Sequence, residues 1–214
     1  RITQNGPMSL AEFMETCLLH PTHGYYTQQN VFGVSGDFVT APETSQMFGE
    51  LLGLCLAQTW QDQGCPTPFV LLELGPGRGT LMADILRATA RIEGFHQSMN
   101  LHLFEASKKL IDQQRKSLRG FDPVWLDSLA NLPTLPLFCV ANEFFDALPL
   151  HQYQRKGEGW HERQIGLTDG KLSIGLNKNP SVTPQLTARI EDTAEGDIVE
   201  INPQTRAIAT QIGS

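Results

Sequence analysis

The sequence predicts an α/β protein organised around a parallel sheet, and three observations predict it. The run Phe69-Val70-Leu71-Leu72-Glu73-Leu74 is almost wholly apolar, which suits a strand buried on both faces. A glycine-rich turn and an amphipathic helix follow it directly. The same alternation of short apolar run and helix then repeats as far as Ala141. Strands separated by helices of this size form parallel sheets through right-handed crossovers.

Each element follows from its own pattern. Ser9 and Glu12 make an S-x-x-E capping box, so a helix is expected over 9–19, with Leu10, Phe13, Met14, Cys17 and Leu18 at helical spacing. His20-Pro21 ends it. Residues 24–42 hold three glycines and no clean period, and read as an irregular loop region. A second helix fits 43–60, with Met47, Leu51, Leu54, Cys55 and Gln58 in one stripe and Phe48, Leu52 and Leu56 beside it. So wide an apolar arc predicts a well-buried helix. Gly49 and Gly53 weaken it but permit close approach of another element. Strand 69–74 leads to a helix over 79–93, with Leu81, Met82, Ile85, Leu86, Thr89 and Ile92 inward and Asp84, Arg87 and Arg91 outward. Strand 101–106, helix 107–119, short strand 124–126 and strand 137–141 complete the alternation. After Pro149 the texture becomes β-hairpin-like over 150–156 and 160–167, with a third strand at 171–176. Asn202-Pro203 opens a last helix, with Asn as N-cap and Pro in the first turn.

Composition excludes several function classes. The chain has 214 residues, 40% hydrophobic and 18% charged, with a net charge of −7. That supplies a core and excludes wholesale disorder. No apolar run approaches the roughly 18 residues of a membrane span. The acidic balance argues against a nucleic-acid partner bound through bulk charge. Cys17, Cys55, Cys65 and Cys139 include no C-x-x-C pair, so they are expected as reduced thiols, mostly buried, and no metal site is expected. The chain starts at Arg1 without a signal segment, which reads as a processed end or as part of a longer chain.

The most informative stretch is Glu73-Leu74-Gly75-Pro76-Gly77-Arg78-Gly79-Thr80, at a strand–helix junction. Ligands of open α/β sheets bind outside the carboxyl ends of the strands. Glycines there let the backbone turn sharply and approach a ligand. The spacing G-x-G-x-G is not the dinucleotide pattern, because Thr80 stands at the sixth position, and no G-K-[ST] follows as in a P-loop. Thr80 in place of the third dinucleotide glycine disfavours a nicotinamide-dependent oxidoreductase. Glu73 suits an ammonium and would repel a pyrophosphate. Glu105, at the next strand end, can accept both hydroxyls of a ribose. Asp127 and Ser128, after the third strand, can reach an adenine edge. Ribose plus ammonium without phosphate describes S-adenosyl-L-methionine (SAM). The bland alternatives are a tight strand–helix turn for the glycines and a solvated strand end for Glu105.

Beyond this motif the sequence resembles the MidA-like family of SAM-dependent methyltransferases, which includes the mitochondrial complex I assembly arginine methyltransferase. The matching segments are GPMSLAEFM from Gly6, His20-Pro21, Gly24-Tyr25-Tyr26, GDFVTAPETSQ over 36–46, Phe48-Gly49-Glu50, ELGPGRGT over 73–80, ANEFFDALP over 141–149 and Trp160-His161-Glu162-Arg163. The resemblance implies a Rossmann-like methyltransferase fold with SAM as methyl donor. In the mitochondrial branch it implies a protein arginine as acceptor.

Transfer from a sulfonium is an in-line displacement that depends on positioning. A carboxylate can grip a planar guanidinium bidentately. Glu143 is the first choice for that role and Asp146 the second, with Phe144 or Phe145 excluding water; an ion pair or helix cap is the alternative for Glu143, and core packing for the phenylalanines. Thr40, Ser45 and Gln46 could bond the methionine carboxylate of SAM, or merely form a loop and N-cap. Asp37 belongs toward the acceptor side or in a loop bond. Glu162-Arg163 suggests a surface salt bridge, the histidines satisfied or exposed side chains, and the basic residues of helix 107–119 a solvated face.

The expected organisation is an N-terminal helical and lid region over 1–68 and a methyltransferase domain over 69–214 with a β insertion at about 150–200. Cutting the sheet after its fourth central strand would leave an unpaired edge, so further sheet is expected beyond Ser214. The expected function is protein arginine methylation of the complex I assembly type; the rival is a non-enzymatic assembly protein on the same fold. A protein substrate is the expected partner, and a homodimer stays open. The compartment is cytoplasmic for a bacterial source and the mitochondrial matrix for a eukaryotic one.

Overall fold

The computed structural model describes residues 1–20, 22–25 and 40–213. The chain begins with helix α1 (Ile2–Asn5), strand β1 (Met8–Ser9) and α2 (Leu10–Leu19). Its middle holds α3 (Ala41–Thr44), α4 (Gln46–Asp62), β2 (Phe69–Leu74), α5 (Thr80–Thr89), α6 (Phe95–Ser98), β3 (Met99–Phe104), α7 (Lys108–Ser117), β4 (Val124–Leu126) and β5 (Leu137–Val140). The last part holds β6 (His151–Lys156), β7 (Gly159–Thr168), β8 (Lys171–Leu176), α8 (Pro184–Thr187), β9 (Ile198–Ile201) and α9 (Pro203–Ile212).

Two compact units emerge, Arg1–Tyr25 with Ala147–Ser214, and Tyr26–Asp146. This differs from a division at residue 68, and pairing explains why. β1 pairs antiparallel with β7 through Met8↔Ile165, which joins the N-terminal residues to the C-terminal β structure. α4 packs instead on α5, which joins it to the parallel sheet. Most of the loop region expected over 24–42, Asp37 included, lies outside the described residues.

In the first unit the capping box forms as expected: the Ser9 hydroxyl accepts from the Glu12 N–H, and the Glu12 carboxylate accepts from the Ser9 N–H. The sheet order is β1-β7-β6-β9, with β8 also on β7. Trp160 and Leu186 are fully buried in this unit. Glu162 pairs with His151 at 2.6 Å and Arg163 donates to Gln152 at 2.9 Å, so the two neighbours turn to different partners. Asn202 caps α9 by accepting from the Thr205 N–H.

The second unit holds a four-stranded parallel sheet in the order β4-β3-β2-β5. All six residues of β2 are buried, as expected for a central strand covered on both faces. Its core joins Phe69, Leu71, Leu103 and Phe138 to Leu81, Met82, Ile85 and Leu86 of α5.

α4 departs from expectation. It buries Gly49, Gly53, Ala57 and Trp60, and leaves Met47 63% and Leu51 60% exposed, with Leu54 exposed beside them. Backbone proximity decides the face: the small residues let α4 approach α5, where a bulkier stripe would hold it off. Asp84 is buried rather than outward, against Gly49 and in an ion pair of 2.7 Å with Arg87. All four cysteines are exposed, not buried, because they stand on helix faces, turns and strand positions that miss the core.

A methyl group added at Gly53 would meet the Ile85 Cα at 2.9 Å and its carbonyl oxygen at 3.0 Å. Backbone atoms cannot step aside as a flexible side chain can. Gly53→Ala should therefore destabilise by about 1–3 kcal/mol through overpacking, despite a gain of about 1 kcal/mol in helix propensity. Urea denaturation checks this; an unchanged or higher midpoint would show that the helices can separate freely.

Candidate functional site

The sheet register places the candidate residues at one edge of the second unit. Leu74 pairs with Phe104, Phe104 with Leu126, and Glu73 with Val140. The segments that follow these residues therefore leave the sheet side by side at its carboxyl edge. They carry Gly75, Glu105, Asp127 and residues 141–146.

The glycine loop is built from backbone that other residues avoid. Gly75, Gly77 and Gly79 have φ of 63°, 54° and 81°, all in the left-handed region. A Cβ at Gly75 would lie 2.7 Å from the Phe144 ring, so the loop after β5 packs directly on the loop after β2. The Phe144 ring also meets Phe104 and Phe145 edge-on.

Two carboxyls flank this loop. Glu73 is 2% exposed, and its Oε2 is buried without a hydrogen-bond partner. Burial first, and the nearby Glu105 second, push its pKa up to about 8. Glu105 is half-buried just past β3. It accepts from the Ser107 N–H at 2.8 Å and from the Gln114 side chain at 3.3 Å. Burial raises its pKa, and those two hydrogen bonds oppose the rise.

Other candidate residues are placed less centrally. Asp127 is exposed and accepts from the Asn131 amide, and the Ser128 hydroxyl caps the turn over 129–131 by accepting from the Ala130 N–H. Thr40 and Ser45 stand at the N-caps of α3 and α4, without a side-chain capping bond at either. The Gln46 side-chain amide lies against the Arg87 guanidinium of α5. Glu143 and Asp146 are both exposed, and Glu143 has a φ of 51°, unusual for a residue with a side chain. Among the described residues, no cap or ion pair is formed by the Glu143 side chain.

Two residues that sequence reasoning passed over hold the loop in place. Glu43, in α3, accepts from the Thr80 hydroxyl at 2.7 Å and pairs with Arg78 at 3.3 Å. Nothing local signals that contact, because its partners are far along the chain. Gln114 donates to the Gly77 carbonyl at 2.7 Å and accepts from the Trp125 indole N–H at 2.7 Å. Its signal was available: it falls in the stripe of Leu110, Ile111 and Leu118, as a polar residue on an apolar face.

A parallel sheet with a left-handed glycine loop and two flanking carboxyls at its carboxyl edge defines a domain of Rossmann-like type, the class whose ligands bind outside the carboxyl ends of the strands. Known proteins agree. Residues 51–214 match a sequence family described as "Putative S-adenosyl-L-methionine-dependent methyltransferase". The chain belongs to this family.

Similar curated proteins are the mitochondrial protein arginine methyltransferase NDUFAF7 of Xenopus tropicalis, 35% identical over 100% of this chain and 56% of its own length, and that of Rattus norvegicus, 38% identical over 99% and 54%. A crystal structure of a Burkholderia thailandensis protein bound to S-adenosyl-homocysteine is similar with a TM-score of 0.79 and 29% identity, over 99% of this chain and 56% of that one. The chain thus spans about half the length of the curated relatives it matches. No helix among the described residues is long and apolar enough to cross a membrane.

Proposed function

We propose that the chain forms the cofactor-binding portion of a SAM-dependent methyltransferase whose acceptor is an arginine side chain of a partner protein. The observation that carries this reading is Glu73: a buried carboxyl with an orphaned oxygen beside three left-handed glycines. Burying a carboxyl without a partner is costly, and an ammonium at Oε2 removes that cost. The residues present fit the cofactor in kind. Glu73 would take the ammonium, Glu105 the ribose hydroxyls, Asp127 and Ser128 the adenine edge, and the backbone of Gly75, Gly77 and Gly79 the close approach. Thr40, Ser45 and Gln46 are the candidates for the carboxylate. Bound there, SAM supplies a methyl group on cationic sulfur, an electrophile.

This chain's residues supply orientation. Glu143 grips the acceptor guanidinium and turns one nitrogen toward the transfer line, with Asp146 as the second carboxylate. Phe144, packed on Gly75, shields the edge from water. The names of the relatives support arginine as acceptor and a mitochondrial compartment in a eukaryote; complex I assembly is the setting that the family resemblance implies, with the matrix as compartment, and the cytoplasm in a bacterium.

Incubating the full protein with SAM labelled in the methyl group and candidate partner proteins, followed by mass spectrometry, tests the reading. Label on arginine is the expected result. Cofactor binding with no label on any partner would replace it by a non-enzymatic assembly role. Glu143→Gln should lower turnover at least about 100-fold, the scale of lost positioning, with affinity for S-adenosylhomocysteine held within about threefold. A parallel loss of affinity, or unfolding, would make Glu143 a structural residue.

A further inference from the structure

Gln114 is fully buried on a helix otherwise dominated by exposed polar residues. A buried amide is costly unless its groups are matched, and here they are. One Nε2 hydrogen goes to the Gly77 carbonyl and the other to Glu105 Oε2, while Oε1 accepts from Trp125. The indole N–H can only donate, so Trp125 fixes which end of the amide faces the carboxylate. The ring of Trp125 is itself held under the Arg115 guanidinium, 4.2 Å away. The Gln114 stem closes the remaining space, with its Cγ 3.4 Å from where a Cβ at Gly79 would stand. One side chain thus ties the segments that follow β2 and β3 to β4 itself.

We propose that Gln114 is the positioning residue that sets recognition of a ribose diol by Glu105. This rests on the reading of the site as a SAM site. Glu105 has one oxygen held by the Ser107 N–H and the other by Gln114. The Ala106 N–H also acts on this carboxylate without a well-aligned hydrogen bond, so each oxygen keeps acceptor capacity for a ligand, in a carboxylate whose plane is pinned by its neighbours. Two parallel acceptors match the two hydroxyls of a vicinal diol. Without the amide, one oxygen is released and the carboxylate can turn, so the diol loses its bidentate partner. The hydrogen bond to Gly77 ties the same amide to the glycine loop, so the diol acceptor and the loop keep one spacing.

Calorimetric titration of the full chain with S-adenosylhomocysteine and with its 2′-deoxyribose analogue tests the proposal. The wild type should prefer the ribose ligand by about tenfold or more. Gln114→Met should weaken S-adenosylhomocysteine about 10- to 100-fold and the 2′-deoxy ligand much less, so that the preference falls toward one. Glu105→Gln should reproduce that collapse. Trp125→Phe keeps the ring and removes the N–H, and should reduce the preference in the same direction by a smaller factor; it decides the question if Gln114→Met fails to fold. A preference that stays at the wild-type ratio while both ligands weaken equally would overturn the proposal and leave Gln114 as packing. Failure of the wild type to bind either ligand would overturn the SAM reading itself, and this proposal with it.

Discussion

Glu73→Gln stabilises the cofactor-free protein at alkaline pH and abolishes the proton release that accompanies cofactor binding. The Glu73 carboxyl is raised from 4.5 to about 8, by burial first and by Glu105 second. The folded state therefore binds more protons than the unfolded chain between those two values. Its contribution to stability is fully present below pH 4.5 and is lost as pH rises through 8. The loss is on the order of 3–5 kcal/mol for an isolated group, and glutamine has no proton to lose. Thermal melts at pH 5 and pH 9 should show the wild type falling by several degrees more than the variant.

An ammonium at Oε2 reverses this preference. It favours the ionised carboxylate, so binding at pH 7 expels the proton that Glu73 holds in the free protein. Titration with S-adenosylhomocysteine in buffers of different ionisation enthalpy should find close to one proton released by the wild type and none contributed by position 73 in Glu73→Gln, with affinity reduced at least about tenfold. Equal proton release in the two proteins would place the ammonium elsewhere.

What the sequence revealed depended on how local the physics was. Buried parallel strands are continuous apolar runs, so β2 could be read to the residue and β5 to within one. The capping box at Ser9 and the Asn202-Pro203 helix start are local hydrogen-bond chemistry, and both formed. The carboxyl-edge cluster was legible because a motif follows each strand, and the register merely aligned them. The two-residue β1 was not legible, since its existence is pairing with β7 and little else. The face of α4 was misread because apolar count was weighed above the close approach that Gly49 and Gly53 allow. Glu43 and Gln114 act over long sequence separations, and only the fold brings them to the glycine loop.

Gly77→Val should abolish cofactor binding, with affinity for S-adenosylhomocysteine weakened more than about 100-fold. Two effects combine. At φ 54° a β-branched residue is strained by about 1–2 kcal/mol. The branched side chain also fills the approach between the loop backbone and its ligand, while strain at position 77 disturbs the carbonyl that Gln114 holds. Backbone strain alone is separable from lost binding, because Gly157 in the β6–β7 turn has nearly the same φ, 57°, with nothing within 4 Å of an added Cβ. Gly157→Val therefore carries the backbone penalty without the site. It should lower the melting temperature by a similar amount and leave cofactor affinity at the wild-type value. Loss of binding in both variants would trace the Gly77 effect to general destabilisation, and wild-type affinity in Gly77→Val would mean that the loop does not contact the ligand. The expected combination, similar melting points with only one protein binding, assigns the left-handed glycine at position 77 to the ligand and not to the fold.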